Sequence, residues 1–231
     1  VVIIKGNVNI DNYCFNDCTS LKAIRLLDVS NVRINRDQFK GCTSLSKIVI
    51  NSKSQVELCS NCFDELSKLT SFHSTSRDIF IGNNCFNKCT SLSEFSITNS
   101  GKFKIGSNQF TKCDELKKIE IKASSNHSTN HFEVEFGQNC FSGLKKLTQF
   151  EMTGGDLTID NFCFKDCTSL KSLKFKKMKK IKIEKDQFYN CKMLKTISID
   201  SESIVDLCHN CFSGLSHLES FHVNAKEIFV G

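Results

Sequence analysis

A chain of 231 residues with 39% hydrophobic content, 20 Phe, no Trp and no Pro holds enough apolar mass for a core, and its net charge of +6 weakly favours acidic partners. No stretch of about 18 apolar residues occurs, which excludes a membrane-spanning helix, and the chain does not open on a signal-peptide pattern. No nucleophile, base and orienter triplet, phosphate-binding Gly loop or carboxylate pair stands out, so an enzyme is not expected and no catalytic residue or cofactor is assigned.

In chain order a Phe returns at Phe15, Phe39, Phe63, Phe86, Phe110, Phe141, Phe164, Phe188 and Phe212, with spacings of 24, 24, 23, 24, 31, 23, 24 and 24. A period in that range signals a repeat array in which each unit touches mainly its neighbours. Six residues after every anchor stands Leu (Leu21 in the first unit, Leu218 in the last), and nine after it an aliphatic residue or Phe. Eleven after it the residue is again apolar except at Ser74, and the positions seven and five before it are apolar in every unit, as at Val8 and Ile10 or Ile181 and Ile183. Alternation at period 2 means strands with one face buried. The expected fold is a β-rich repeat solenoid, a single domain over residues 1–231 of about nine units. Each 23–24-residue unit should hold two short strands, with short turns or helical turns between, around a stack of Phe.

Three unit types alternate: CF with Cys three later (Phe15, Phe86, Phe164), QF with Cys three later (Phe39, Phe110, Phe188) and CF with Leu three later (Phe63, Phe141, Phe212). The array therefore reads as three blocks of three units, which suits a long repetitive surface better than a catalytic constellation. Val1 and Ile3 align with Phe150 and Met152, and the closing EIFVG aligns with DIFIG at residues 78–82, so both ends are expected to cut through units, with further repeats beyond them. The spacing of 31 leaves a polar insertion, KASSNHSTNH at residues 122–131, expected to bulge as a loop. It holds a glycosylation acceptor pattern, Asn126-His127-Ser128, of a kind that also arises by chance in polar loops.

With this register the matching text is FNDCTSLKAIRL from Phe15, FKGCTSLSKIVI from Phe39, FNKCTSLSEFSI from Phe86 and FKDCTSLKSLKF from Phe164. It resembles the BspA-like, or Treponema pallidum type, leucine-rich repeat, and the resemblance covers essentially the whole chain. The family commonly has Pro after the strand and Ala before the Phe, whereas here Pro is missing and Cys or Gln precedes the Phe. The resemblance implies a curved, right-handed leucine-rich-repeat coil without enzymatic activity, often on bacterial or protozoan surfaces as an adhesin or antigen. It implies no particular ligand.

Of fourteen Cys, six stand just before the anchor and six three after it. The later position takes Leu in the third unit type, so a column of reduced, buried thiols is expected. Equivalent Cβ atoms on stacked strands lie about 4.8 Å apart, beyond the roughly 3.8 Å a disulfide wants. The two remaining residues make CSNC (Cys59, Cys62) and CHNC (Cys208, Cys211). These lie six units apart, roughly 29 Å at about 4.8 Å per coil, so one zinc ion cannot take all four thiolates and no metal site is expected.

Ten residues after the anchor runs a row expected to face outward: Arg25, Val49, His73, Ser96, Glu120, Glu151, Lys174, Ser198 and His222. Such a row either grips an extended partner or is an ordinary solvated strand face. His73 and His222 are block copies of each other, which makes them poor candidates for catalysis. The segment KFKKMKKIKIEK at residues 174–185 places Lys176, Lys177, Lys179 and Lys180 in an expected turn between two strands. This patch suits a polyanion such as a glycosaminoglycan, an acidic protein tail or anionic lipid; equally, a Lys run can be a solvated edge that blocks aggregation. No aromatic residues accompany these charges on an exposed surface, so specific nucleic-acid binding is not expected.

The expected function is a non-enzymatic interaction module, a segment of a cell-surface or secreted adhesin or antigen that binds a protein partner or an acidic polymer. The alternative is a cytoplasmic or cytoskeletal scaffold lying along a filament or within a larger assembly. Reduced Cys favours the alternative; Asn126 and the family's habit favour the first.

Overall fold

The alternating segments are strands throughout the computed structural model, which describes residues 1–123 and 132–231. The early coils hold β1 (Val2–Ile10), β2 (Ala23–Ile34), β3 (Lys47–Ser52), β4 (Gln55–Leu58), β5 (Ser71–Ser76) and β6 (Asp78–Ile81). The middle coils hold β7 (Glu94–Asn99), β8 (Lys102–Ile105), β9 (Lys118–Ala123), β10 (Glu133–Phe136), β11 (Gln149–Thr153) and β12 (Asp156–Ile159). The last hold β13 (Ser172–Ile183), β14 (Thr196–Leu207), β15 (Ser220–Asn224) and β16 (Glu227–Val230). Each strand pairs in parallel with its counterpart one coil away. The chain is a parallel β solenoid of about nine turns, with no helix among the described residues.

Two ladders run the length of the coil. One passes through β3, β5, β7, β9 and β11, the other through β4, β6, β8, β10 and β12, and both continue into β2 at one end and β13 and β14 at the other. Their inward columns, such as Ile48, Phe72 and Phe95 on the first and Val56, Ile79 and Phe103 on the second, are buried. Between them the nine anchors form an unbroken stack, with ring centroids 5.3 to 5.8 Å apart at every junction. Phe15 and Phe212 in the end coils are half-buried; the other seven are buried.

The turn around each anchor depends on two residues in the left-handed region, one two places before the Phe and one two places after it, in all nine units. The first position is Asn or Asp in seven units, with Tyr13 (φ 63) and Phe162 (φ 58) as the exceptions. The second includes Gly41, Gly143 and Gly214, but also Lys112 at φ 63. A Cβ in this region costs roughly 1 to 2 kcal/mol, which Gly avoids and Asn partly offsets. Lys112→Gly is therefore expected to raise stability by about 1 kcal/mol, read as a higher denaturation midpoint in urea; a lower midpoint would contradict this account of the turn.

Two expectations need correction. β1, β2, β13 and β14 are not split into two short strands but run unbroken from one ladder to the other. In β2 and β13 an extra left-handed residue, Asp28 (φ 56) and Lys177 (φ 49), makes a bulge that turns the next side chain, Val29 or Met178, into the core. The insertion also begins later than expected: Lys122 and Ala123 belong to β9. Its remainder, with Asn126, lies outside the described residues.

Candidate interaction surface

Alternation puts the residues between the inward columns on the outer face of the first ladder. Register fixes Arg25 beside Val49, Val49 beside His73, His73 beside Ser96 and Ser96 beside Glu120. It likewise sets Glu151 beside Lys174, Lys174 beside Ser198 and Ser198 beside His222. None of the nine is buried. Glu120 lies 3.5 Å from both Lys118 and Lys122, and His73 Nε2 contacts Thr75 Oγ1 at 3.3 Å. Arg25 and Lys174 make no ion pair among the described residues.

The Lys cluster occupies the bulged middle of β13 rather than a turn between strands, because Met178 is drawn inward and keeps the strand continuous. Lys176, Lys177, Lys179 and Lys180 are all exposed around that inward side chain. Lys176 Nζ pairs with Glu151 at 2.7 Å, and the Lys177 amide faces Asp200 at 3.4 Å. Sequence reasoning overlooked the outer row of the second ladder, although the same period-2 count marks it. There charges are matched from coil to coil, Arg33 with Glu57 at 2.5 Å and Lys104 with Glu135 at 2.7 Å.

Ten of the fourteen Cys are buried, Cys18, Cys59 and Cys208 are half-buried, Cys14 is exposed, and all are free thiols. The Cys three residues after the anchor is more than an apolar filler. Its Sγ donates to the anchor's carbonyl one coil back: Cys42 to Phe15, Cys113 to Phe86, Cys167 to Phe141 and Cys191 to Phe164 at 3.0 Å, and Cys89 to Phe63 at 3.2 Å. Leu66, Leu144 and Leu215 fill the same place without that bond. No cluster of three or more His, Cys, Asp or Glu could hold a metal ion among the described residues.

A model of the BspA type leucine-rich repeat region matches residues 8–133 and 134–230 in six copies. The chain belongs to this family. No curated protein and no solved structure matches it. In three units of this BspA-type coil, the residue before the anchor also reaches one coil back, to the carbonyl four places before the preceding Phe. Cys85 Sγ donates to Cys59 C=O at 3.0 Å, Gln109 Nε2 to Gly82 C=O and Gln187 Nε2 to Asp160 C=O. Leucine-rich repeats of this kind are an interaction-type fold, and no helix among the described residues is long and apolar enough to cross a membrane.

Burial pushes the thiols of this BspA-type core upward, from an ordinary 9.0 to about 11 at Cys42 and Cys211 and about 12 at Cys113. Cys62, Cys89, Cys140 and Cys167 move the same way for the same reason. The folded value exceeds the unfolded one, so the stability these thiols lend is whole below pH 9.0 and is lost as pH climbs through about 11 to 12. The thermal unfolding midpoint is expected to fall steeply across that window; a midpoint flat to pH 11 would contradict the buried-thiol account.

Proposed function

We propose that the chain is a non-enzymatic protein-interaction module, a segment of a BspA-like surface adhesin or antigen, that engages a protein partner or an acidic polymer through the first ladder's outer row and the Lys cluster beside it. The observation that carries the reading is an unmatched cationic excess: Arg25, Lys174, Lys177 and Lys180 are exposed and make no ion pair among the described residues. The second ladder's outer row has its cations paired. Desolvating matched pairs returns little, whereas unmatched cations steer and hold an acidic partner. The family's habit of surface or secreted placement supports an extracellular setting.

Replacing Lys176, Lys177, Lys179 and Lys180 together by Gln is expected to weaken binding to immobilised heparin by about tenfold or more. Unchanged retention would remove the polyanion reading. Fourteen free thiols favour a second reading, a scaffold in a reducing compartment. Intact mass before and after deglycosylation separates the two: a glycan on Asn126 supports the adhesin, and a bare Asn126 with fourteen alkylatable thiols supports the scaffold.

A further inference from the structure

We propose that the fork between β9 and β11 is a docking cleft for an extended acidic peptide segment, which lays its backbone against strand edges that the fork leaves open. The inference rests on the strand face being the working surface, and names the point on it where a partner can gain main-chain hydrogen bonds. Just before the first-ladder strands, a backbone amide normally donates one coil back: Thr70 to Ser46 at 2.9 Å, Ser93 to Thr70 at 3.0 Å, Lys171 to Thr148 at 2.8 Å and Lys195 to Lys171 at 3.0 Å. The equivalent bond from Thr148 N–H to Lys117 C=O is missing. β9 and β11 are paired only at Ile121 with Met152 and Lys122 with Thr153, while β7 and β9 share six pairs and β11 and β13 five. The two strands are thus zipped at their C-terminal ends and splayed at their N-terminal ends, in the one unit whose length departs from the period by seven residues.

A cleft of about 680 Å³ runs along the fork, from Lys117 and Thr148 at the splayed end to Gly154 and Lys177 at the zipped end. Ile119 and Ile121 line it, and Ile119 is 7% exposed where Phe95 and Phe150 in the same column are 0% and 1%. Lys117, Lys118, Lys122 and Lys177 line it against Glu120 and Glu151. Both carboxylates are already engaged, Glu120 by Lys118 and Lys122 at 3.5 Å and Glu151 by Lys176 at 2.7 Å, so Lys117 and Lys177 make no ion pair among the described residues. Unsatisfied strand edges fit an extended backbone, the Ile pair fits alternate apolar side chains, and the surplus Lys fit acidic residues between them. The occupant is therefore a peptide of alternating acidic and apolar residues.

The test uses a capped, fluorescein-labelled decapeptide of alternating Glu and Val, with fluorescence anisotropy as the readout. The parent peptide is expected to bind, and N-methylation of alternate residues, which removes amide donors but keeps the charge, to weaken binding about tenfold. Lys117→Glu combined with Lys177→Glu should weaken the parent peptide by a similar factor and leave the unfolding midpoint unchanged. In hydrogen exchange, the bound peptide should protect the amides of residues 148–151. Equal binding of the parent and N-methylated peptides overturns backbone docking. Failure of the parent peptide to bind overturns the cleft altogether, and heparin retention that still depends on the β13 lysines would then leave the broader reading of the face intact.

Discussion

Phe110→Ala is expected to cost about 3 to 5 kcal/mol of folding stability. Phe110 is 1% exposed and stands between Phe86 and Phe141, with centroid distances of 5.7 and 5.8 Å, and meets Phe95 edge-on at 5.1 Å. Truncation removes the buried ring and leaves a void that neighbouring coils cannot close, since each is held by two ladders. Phe110 also borders the junction where β9 and β11 are only partly paired, so the stack carries more of the coupling there than elsewhere. In a one-dimensional array, weakening one junction can uncouple the segments on either side. Urea unfolding should show a lower midpoint, a second transition, or both; a loss below roughly 1 kcal/mol would mean that the spine is not what holds the coils together.

Gln187→Leu and Gln38→Leu are expected to have opposite effects, though both change a fully buried Gln at the same place in the repeat. Gln187 donates to Asp160 C=O and accepts from Cys163 N–H at 3.2 Å. Leu is similar in size but leaves both backbone groups unpaired, at about 1 to 3 kcal/mol each, for a total of about 2 to 6 kcal/mol. Neither Oε1 nor Nε2 of Gln38 has a partner among the described residues. Leu there removes two unsatisfied polar atoms and strands nothing, so stability should hold or rise by about 1 kcal/mol. Denaturation of the two variants side by side checks this, and equal losses would show that the position responds to shape alone.

Much of this fold was legible because its signals are local and repeated. The Phe, Leu and period-2 positions report burial directly, and nine copies let one register be read from another. The left-handed pair was legible in principle, since Asn61, Asn84, Asn108, Asn139 and Asn210 share one position, yet Phe162 and Lys112 hide it. The thiol ladder was not. A column occupied by both Cys and Leu reads as apolar, and only the stacked geometry brings each Sγ to a carbonyl one coil back. The Lys cluster was found, but the placement of Met178 was not: a bulge depends on one residue's backbone conformation, which Lys177 does not advertise. The missing bond at Lys117 was also unreadable, because it comes from how two coils sit together rather than from any residue in either.

The most direct measurement is lysine footprinting: acetylate the surface amines with and without bound heparin fragment and locate the protected residues by mass spectrometry. The account predicts protection at Lys174, Lys176, Lys177, Lys179 and Lys180, all exposed on β13. Protection confined to turn-side residues such as Lys68, Lys112, Lys145 and Lys192 would contradict it, and would move the working surface away from the strands.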